Sequence, residues 1–318
     1  MRNYYELSLE WWHRFWGQKD SRYAKYVWGC LERDVLPCIG EMSAQELTPP
    51  QVMAALQQVI NRGASEAAYK TKSYTNQIFT YGQACGHCTA NPTAYLGAML
   101  PPRPDGMRPA IIDPAEAGQL MRDIYAYNRS PMVLCALKLA ALTLVRSAEL
   151  RTSEWKEIDF SRAEWRIPAA KMKMKRPHVV PLSKQALAVL LDLKVLKMGG
   201  RFLFPSEVSK TGHIGGGVLN YALHSMGYSG DTMTLHGFRA MASTILNEAG
   251  KIKPDVIEYQ LAHVQKDKVR AAYNRTDYRK ERVQMMQEWA NTLDDLRGKE
   301  VVATHEMLTP TEQGRLMT

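Results

Sequence analysis

The sequence predicts a mainly α protein with one small β-sheet, split into an all-α segment and a mixed α+β segment. Three observations predict it. Apolar residues recur at helical spacing through most of the chain. Short strand-like runs cluster between residues 157 and 182. Between the two segments lies Pro101–Pro109, "PPRPDGMRP", with four prolines and a glycine in nine positions, which can hold neither helix nor sheet pairing. The expected division is therefore a first domain over 1–100, a linker over 101–109, a second domain over 110–298 and a polar tail over 299–318.

In the first segment, Tyr5, Leu9, Trp12 and Trp16 form one helical stripe, and Ala24, Val27, Leu31 and Val35 a second that stops near Pro37. Thr48-Pro49-Pro50-Gln51 combines an N-cap, a proline at the first helical position and a capping-box glutamine, so a third helix starts there. A fourth runs from about Ser65 to Gly82. Its Lys70, Lys72 and Tyr74 suit either phosphate contact or a solvated face. After the linker, Asp113-Pro114-Ala115-Glu116 caps a helix and Ser130-Pro131 starts another, apolar on all sides from Pro131 to Val145 and so expected at the domain centre. Strands follow at 157–160, 164–167 and 178–182, then a helix capped by Ser183, an extended "RFLFPS" at 201–206, and helices up to about Leu296.

The longest apolar run is shorter than the ~20 residues of a membrane span and carries Lys138; no signal peptide opens the chain, so the cytoplasm is the expected location and a membrane is not an expected partner. A net charge of +9 points to a polyanion, with nucleic acid favoured. Five cysteines make an odd number, which speaks against a disulfide framework. Cys85-Gly-His-Cys88 lacks a second paired motif at zinc spacing, so buried or half-buried thiols are expected.

Four basic clusters mark the second segment. Arg146 and Glu149 follow the apolar helix directly, where a charge needs a partner: one another, or an outside anion. Lys171, Lys173 and Lys175 alternate with methionines and precede Arg176; in an extended hairpin they would share one face, either as a guarded edge strand or as a hairpin laid on a phosphate backbone. His236 and Arg239 stand three apart, with Gly237 allowing a backbone to come close. Finally "HVQKDKVRAAYNRTDYRK" holds His263, Tyr273 and Tyr278 among six cations.

In this order, the blocks "TLVRSAELRTSEW", "KMKMKRPHVVPLS", "HGFRAMASTILNE", "QLAHVQKDKVRAAYNR" and "MMQEWANTL" resemble the tyrosine site-specific recombinases, specifically the phage and genomic-island integrases. The resemblance implies an all-α core-binding (SAM-like) domain followed by a mixed α+β catalytic domain. It implies an enzyme that cleaves and rejoins DNA strands through a 3′-phosphotyrosine link, integrating or excising a mobile element. Inversion or resolution, type IB topoisomerase-like relaxation, and a catalytically silent DNA-binding protein are the rival functions. Three departures stand out: "TLV" precedes Arg146 where much of the family has Thr-Gly; the sequence starts almost at the core-binding segment, so the small arm-binding domain that many integrases carry is either naturally absent or lies outside this stretch of sequence; and the tail after Gly298 has no counterpart in the family pattern.

The positions that match are Arg146, Lys173, His236, Arg239, His263 and Tyr273, with Glu149 orienting Arg146 or His236. Two planar guanidiniums suit the charge gathering on a phosphate under attack. Tyr273 needs neighbouring cations before its phenolate becomes accessible. His236 would take its proton, His263 would bond the phosphate, and Lys173 would protonate the leaving 5′-oxygen, with Lys171 and Lys175 as rival positions. Lys171, Lys175, Arg176, Lys70 and Lys72 are the expected DNA contacts. The expected partner is double-stranded DNA, with a monomer when free and a homotetramer on paired sites, assisted by DNA-bending or directionality factors. A helix face of Met286, Trp289, Leu293 and Leu296 is a candidate for docking on a neighbouring protomer. No metal and no cofactor are expected, because the phosphotyrosine link keeps the energy of the broken bond.

Overall fold

The structure is a computed structural model that describes residues 2–17, 22–102, 109–196, 199–263 and 276–298. The chain divides into two compact units, Met1–Met107 and Arg108–Thr318.

In the first unit, α1 (Tyr4–Phe15), α2 (Arg22–Asp34), a single turn α3 (Leu36–Ile39), α4 (Pro49–Asn61) and α5 (Ser65–Ala84) enclose one apolar core. The starts follow cap chemistry. Asn3 accepts from the Glu6 N–H at 2.8 Å, and Gln51 Oε1 accepts from the N–H and hydroxyl of Thr48. The stripe that α1 buries is Tyr4, Leu7 and Trp11, displaced by one or two positions from the expected Tyr5, Leu9 and Trp12. Paired aromatics (Tyr4-Tyr5, Trp11-Trp12) give two neighbouring stripes of equal period, and Trp12 and Trp16 end up at the edge of the core. On α5, Lys70 is exposed and Lys72 half-buried, whereas Tyr74 is buried and shares a hydrogen bond of 3.0 Å with the Tyr23 hydroxyl. Tyr74 is therefore a core residue and not a phosphate contact. The C-x-x-C pair also separates: Cys85 is exposed, while Cys88 is buried, which pushes its thiol pKa up.

In the second unit, α6 (Pro114–Ala126), α7 (Pro131–Thr143) and α8 (Ser147–Arg151) precede an antiparallel sheet of β1 (Ile158–Asp159), β2 (Glu164–Ile167) and β3 (His178–Pro181), in the order β1-β2-β3. Trp165 pairs with Ile158 on one side and Val180 on the other, and Ile167 with His178. Then come α9 (Lys184–Val195), α10 (Val218–Ser225), α11 (Gly237–Glu248), α12 (Pro254–Gln260) and α13 (Arg279–Gly298). As its composition requires, α7 runs through the core, with nine of its thirteen residues buried. It ends at Leu144, whose φ of 59° and ψ of 23° are left-handed, at the position where the Thr-Gly pattern would supply glycine.

The helix proposed for trans docking is satisfied within its own unit. On α13, Met285, Met286, Trp289 and Leu293 are all buried, Trp289 Nε1 donates to the Ala141 carbonyl at 2.8 Å, and the Leu296 carbonyl closes on Gly118 of α6 so tightly that a Cβ there would meet it. That face is core, so it is not available to a neighbour. No helix among the described residues is long and apolar enough to cross a membrane.

Candidate active site

Arg146 occupies the N-cap of α8, immediately beyond the end of α7. Its N–H donates to Glu149 Oε2 (2.8 Å) and its Nη1 to Glu149 Oε1 (3.0 Å), so the pairing of these two residues is real and Glu149, 3% exposed, fixes the guanidinium. The other end of that guanidinium points away from α8: Nη2 donates to the carbonyls of Ala262 (2.9 Å) and Leu261 (3.4 Å), just past α12.

Arg239 reaches the same turn from α11. It is 4% exposed, donates through Nη1 to the Leu144 carbonyl and through Nη2 to the Leu261 carbonyl at 2.5 Å. Nη2 also lies 3.2 Å from His263 Nε2, whose Nδ1 is 2.8 Å from Glu258 Oε2. Since a guanidinium can only donate, Nε2 accepts and the ring proton sits on Nδ1, toward Glu258. Burial first, and then the Arg146 charge, pull the Arg239 pKa down to about 10. Two cations thus lie side by side with backbone oxygens as most of their ligands, and Arg239 Nε finds no acceptor among the described residues. Such a cluster has donors to spare for an anion.

His236 caps α11 and is half-buried; its carbonyl accepts the Arg239 N–H at 3.1 Å. Gly237 permits a close approach as expected, though what approaches is the chain itself: a Cβ there would meet Met233 Sδ at 2.6 Å and the Pro109 carbonyl at 3.0 Å.

The lysine stretch departs from an extended hairpin. Between β2 and β3 the chain makes a 3₁₀ turn (Ala169–Lys171) and then a loop in which Lys175 has a φ of 54°. The three lysines do not share a face. Lys171 turns inward, where Nζ donates to Glu154 Oε1 (2.8 Å), to Glu157 and to the Thr152 carbonyl. This corrects the expectation of Lys171 as a DNA contact or rival acid, because two buried carboxylates already occupy its ammonium. Lys173, Lys175 and Arg176 are exposed on the loop. Arg201 and Lys171 hold the Glu154 carboxyl well below the usual carboxylate range.

Tyr273 lies outside the described residues. Tyr278 is half-buried at the start of α13, edge-on to Tyr259 at 6.1 Å, with its hydroxyl 3.5 Å from Asp255 Oδ2.

A polar group lies behind the arginine pair that motif reasoning missed. His178 Nε2 is 3.1 Å from the Gln260 carbonyl, and Arg282 and Thr143 bind the Gln260 side chain. Burial, then the Arg282 charge, press the His178 pKa down to about 3, so the ring is neutral and its proton sits on Nε2. The signal was in the sequence: a histidine inside an otherwise apolar strand, and an arginine three and four residues before the buried Met285 and Met286 of one helix face.

Comparison with known proteins bears on both units. The phage integrase central domain matches residues 4–98 and the phage integrase family matches residues 111–280. The chain is 39% identical over 299 residues to prophage integrase IntA of Escherichia coli (strain K12), a match that takes in 94% of this chain and 72% of that protein. It is 33% identical over 313 residues to the integrase of Enterobacteria phage P4, covering 93% and 70% respectively. A lambda integrase tetramer bound to a Holliday junction shares the fold at a TM-score of 0.67 and 14% identity, over 84% of this chain and 79% of that one. Two converging arginines on a mainly helical unit with a three-stranded sheet, matched along nearly the whole chain, make this protein a member of the phage integrase family, an enzyme of the tyrosine recombinase type that carries out site-specific recombination.

Proposed function

We propose that Tyr273 is the nucleophile and that Arg146 and Arg239 hold the scissile phosphate of double-stranded DNA. The observation that carries this reading is the convergence of Arg146, Arg239 and His263 on the single turn Leu261–His263, which leads directly into the segment bearing Tyr273. The Tyr273 oxygen attacks phosphorus and gives its proton to His236; the bond to the 5′-oxygen breaks, and that oxygen takes a proton from Lys173. A 5′-hydroxyl of a partner strand then attacks the 3′-phosphotyrosine and gives its proton to Lys173, while the departing Tyr273 oxygen takes its proton back from His236. The guanidiniums meet the charge on the nonbridging oxygens. His263 lies beside Arg239 with Glu258 at its Nδ1, and is the proposed further ligand of the phosphate.

Lys173, Lys175 and Arg176, exposed together on one loop, and Lys70 and Lys72 on α5, are the proposed backbone contacts. Lambda integrase is seen as a dimer on a core site and as a tetramer on a Holliday junction, which supports a tetramer on paired sites for this chain as well. Accessory DNA-bending factors belong to the same reading.

The test is a nicked duplex carrying the protein's recombination site, which loses the short cleaved strand and so traps the covalent adduct. Wild-type protein should form an adduct that maps to Tyr273, and Tyr273→Phe should form none. An adduct that persists in the variant, or maps to Tyr278, overturns the assignment.

A further inference from the structure

The turn that carries the arginine pair is held from behind by two buried polar residues, Gln260 and Arg282. Gln260, 2% exposed, is the centre of that hold. Its side-chain nitrogen donates to the Thr143 carbonyl at 3.3 Å, at the end of α7. Its side-chain oxygen accepts both Nε (2.9 Å) and Nη2 (2.7 Å) of Arg282. Arg282, on α13, is also 2% exposed, donates to the Val179 carbonyl of β3 at 2.5 Å, and lies over the Tyr259 ring at 5.1 Å.

Stability is a poor explanation for this arginine. Among the described residues no carboxylate pairs with it, and its neighbours on the buried face of α13 are Met285, Met286 and Trp289. A buried cation with neutral ligands is costly, and an apolar side chain of the same size would serve a core better. What the guanidinium does supply is a rigid fork that joins three elements at fixed distances: α13, β3 and the end of α12. The residue after Gln260 is Leu261, whose carbonyl accepts from both Arg146 and Arg239.

We propose that Arg282 is a positioning residue for strand cleavage: by clamping the Gln260 side chain to β3 it sets the carbonyl turn on which Arg146 and Arg239 rest. This rests on the reading of those arginines as the phosphate clamp. Displacing such a clamp by a fraction of an ångström removes alignment in the transition state while leaving most DNA contacts in place.

The test compares wild type with the double variant Arg282→Met/Gln260→Met, which removes the two partners of the fork together, so that only the Thr143 and Val179 carbonyls lose a donor. Each protein is given saturating nicked duplex with either a normal scissile phosphate or a methylphosphonate, which lacks one charged oxygen and depends less on the guanidiniums. The expected result is a fall in adduct formation of about 30-fold or more on the phosphate, a fall of about threefold or less on the methylphosphonate, and duplex affinity within about threefold of wild type. Equal losses on the two substrates, or no loss, overturn the proposal. If the double variant does not fold, Arg282→Lys carries the test, since an ammonium keeps the charge but cannot bridge Gln260 and Val179 as a fork; the same substrate split is expected, and its absence is again decisive. The Tyr273→Phe experiment fails or succeeds independently, so loss of the site reading is distinguishable from loss of this proposal.

Discussion

Arg146 and Arg239, 93 positions apart in the chain, donate to the same atom, the carbonyl oxygen of Leu261. A neutral oxygen cannot cancel two positive charges, and among the described residues the only carboxylate bonded directly to the pair is Glu149. On the proposed reading, the excess of donors among the described residues is what an arriving phosphate would satisfy. Arg146→Ala and Arg239→Ala should each lower adduct formation by ~10²-fold or more, with duplex affinity falling by about tenfold at most. A loss of binding that matches the loss of cleavage would reduce both residues to simple backbone anchors.

Acid should loosen the second unit through His178. Its folded pKa, about 3, lies below the ordinary value of 6.5, so the unfolded chain binds the extra proton between those two pH values. The stabilisation is complete above about pH 6.5 and is lost as pH falls toward 3. At pH 5 the loss amounts to about 2 kcal/mol. His178→Gln, which keeps a donor for the Gln260 carbonyl and cannot titrate, should show a smaller fall in melting temperature between pH 7 and pH 5 than wild type does.

Two lysines four residues apart should behave oppositely in thermal melts. Lys171→Met leaves Glu154 and Glu157 buried without their shared cation, and should cost roughly 3 kcal/mol. Lys175→Met, on an exposed loop, should stay within about 0.5 kcal/mol of wild type. A neutral Lys171→Met would mean that Arg201 and Lys156, which also reach Glu154, suffice to hold it.

Leu144 should reverse the usual ranking of alanine over glycine. Its side chain is 1% exposed, and truncation loses apolar burial in either variant. Leu144→Ala keeps the strained φ of 59°, whereas Leu144→Gly releases it, so glycine should be the more stable of the two by about 1 kcal/mol. Alanine equal to or better than glycine in chemical denaturation would show that the turn relaxes without cost.

Helices in this chain were legible wherever a cap stood before a periodic run. Thr48, Asp113, Ser130 and Ser183 all start helices, because a cap is a local interaction. The register of α1 was not legible, since doubled aromatics satisfy two stripes equally. The arginines were legible as residue types in order, yet their meeting at Leu261 joins positions 115 and 22 residues apart in sequence, which no local rule reports. Lys171 was misread for the same reason: its partners, Glu154 and Glu157, sit 17 and 14 residues upstream. Alternation in sequence implied an extended strand, but the inward salt bridges make a 3₁₀ turn the better solution.

Arg239 Nε, which has no acceptor among the described residues, also sets a rule for handling the enzyme. If Arg146 and Arg239 are the proposed phosphate clamp, they will also accept a small tetrahedral oxyanion, so buffer identity should matter and not ionic strength alone. At equal ionic strength, sulfate or inorganic phosphate should slow adduct formation more than chloride does, and the difference should vanish once Arg239 is replaced.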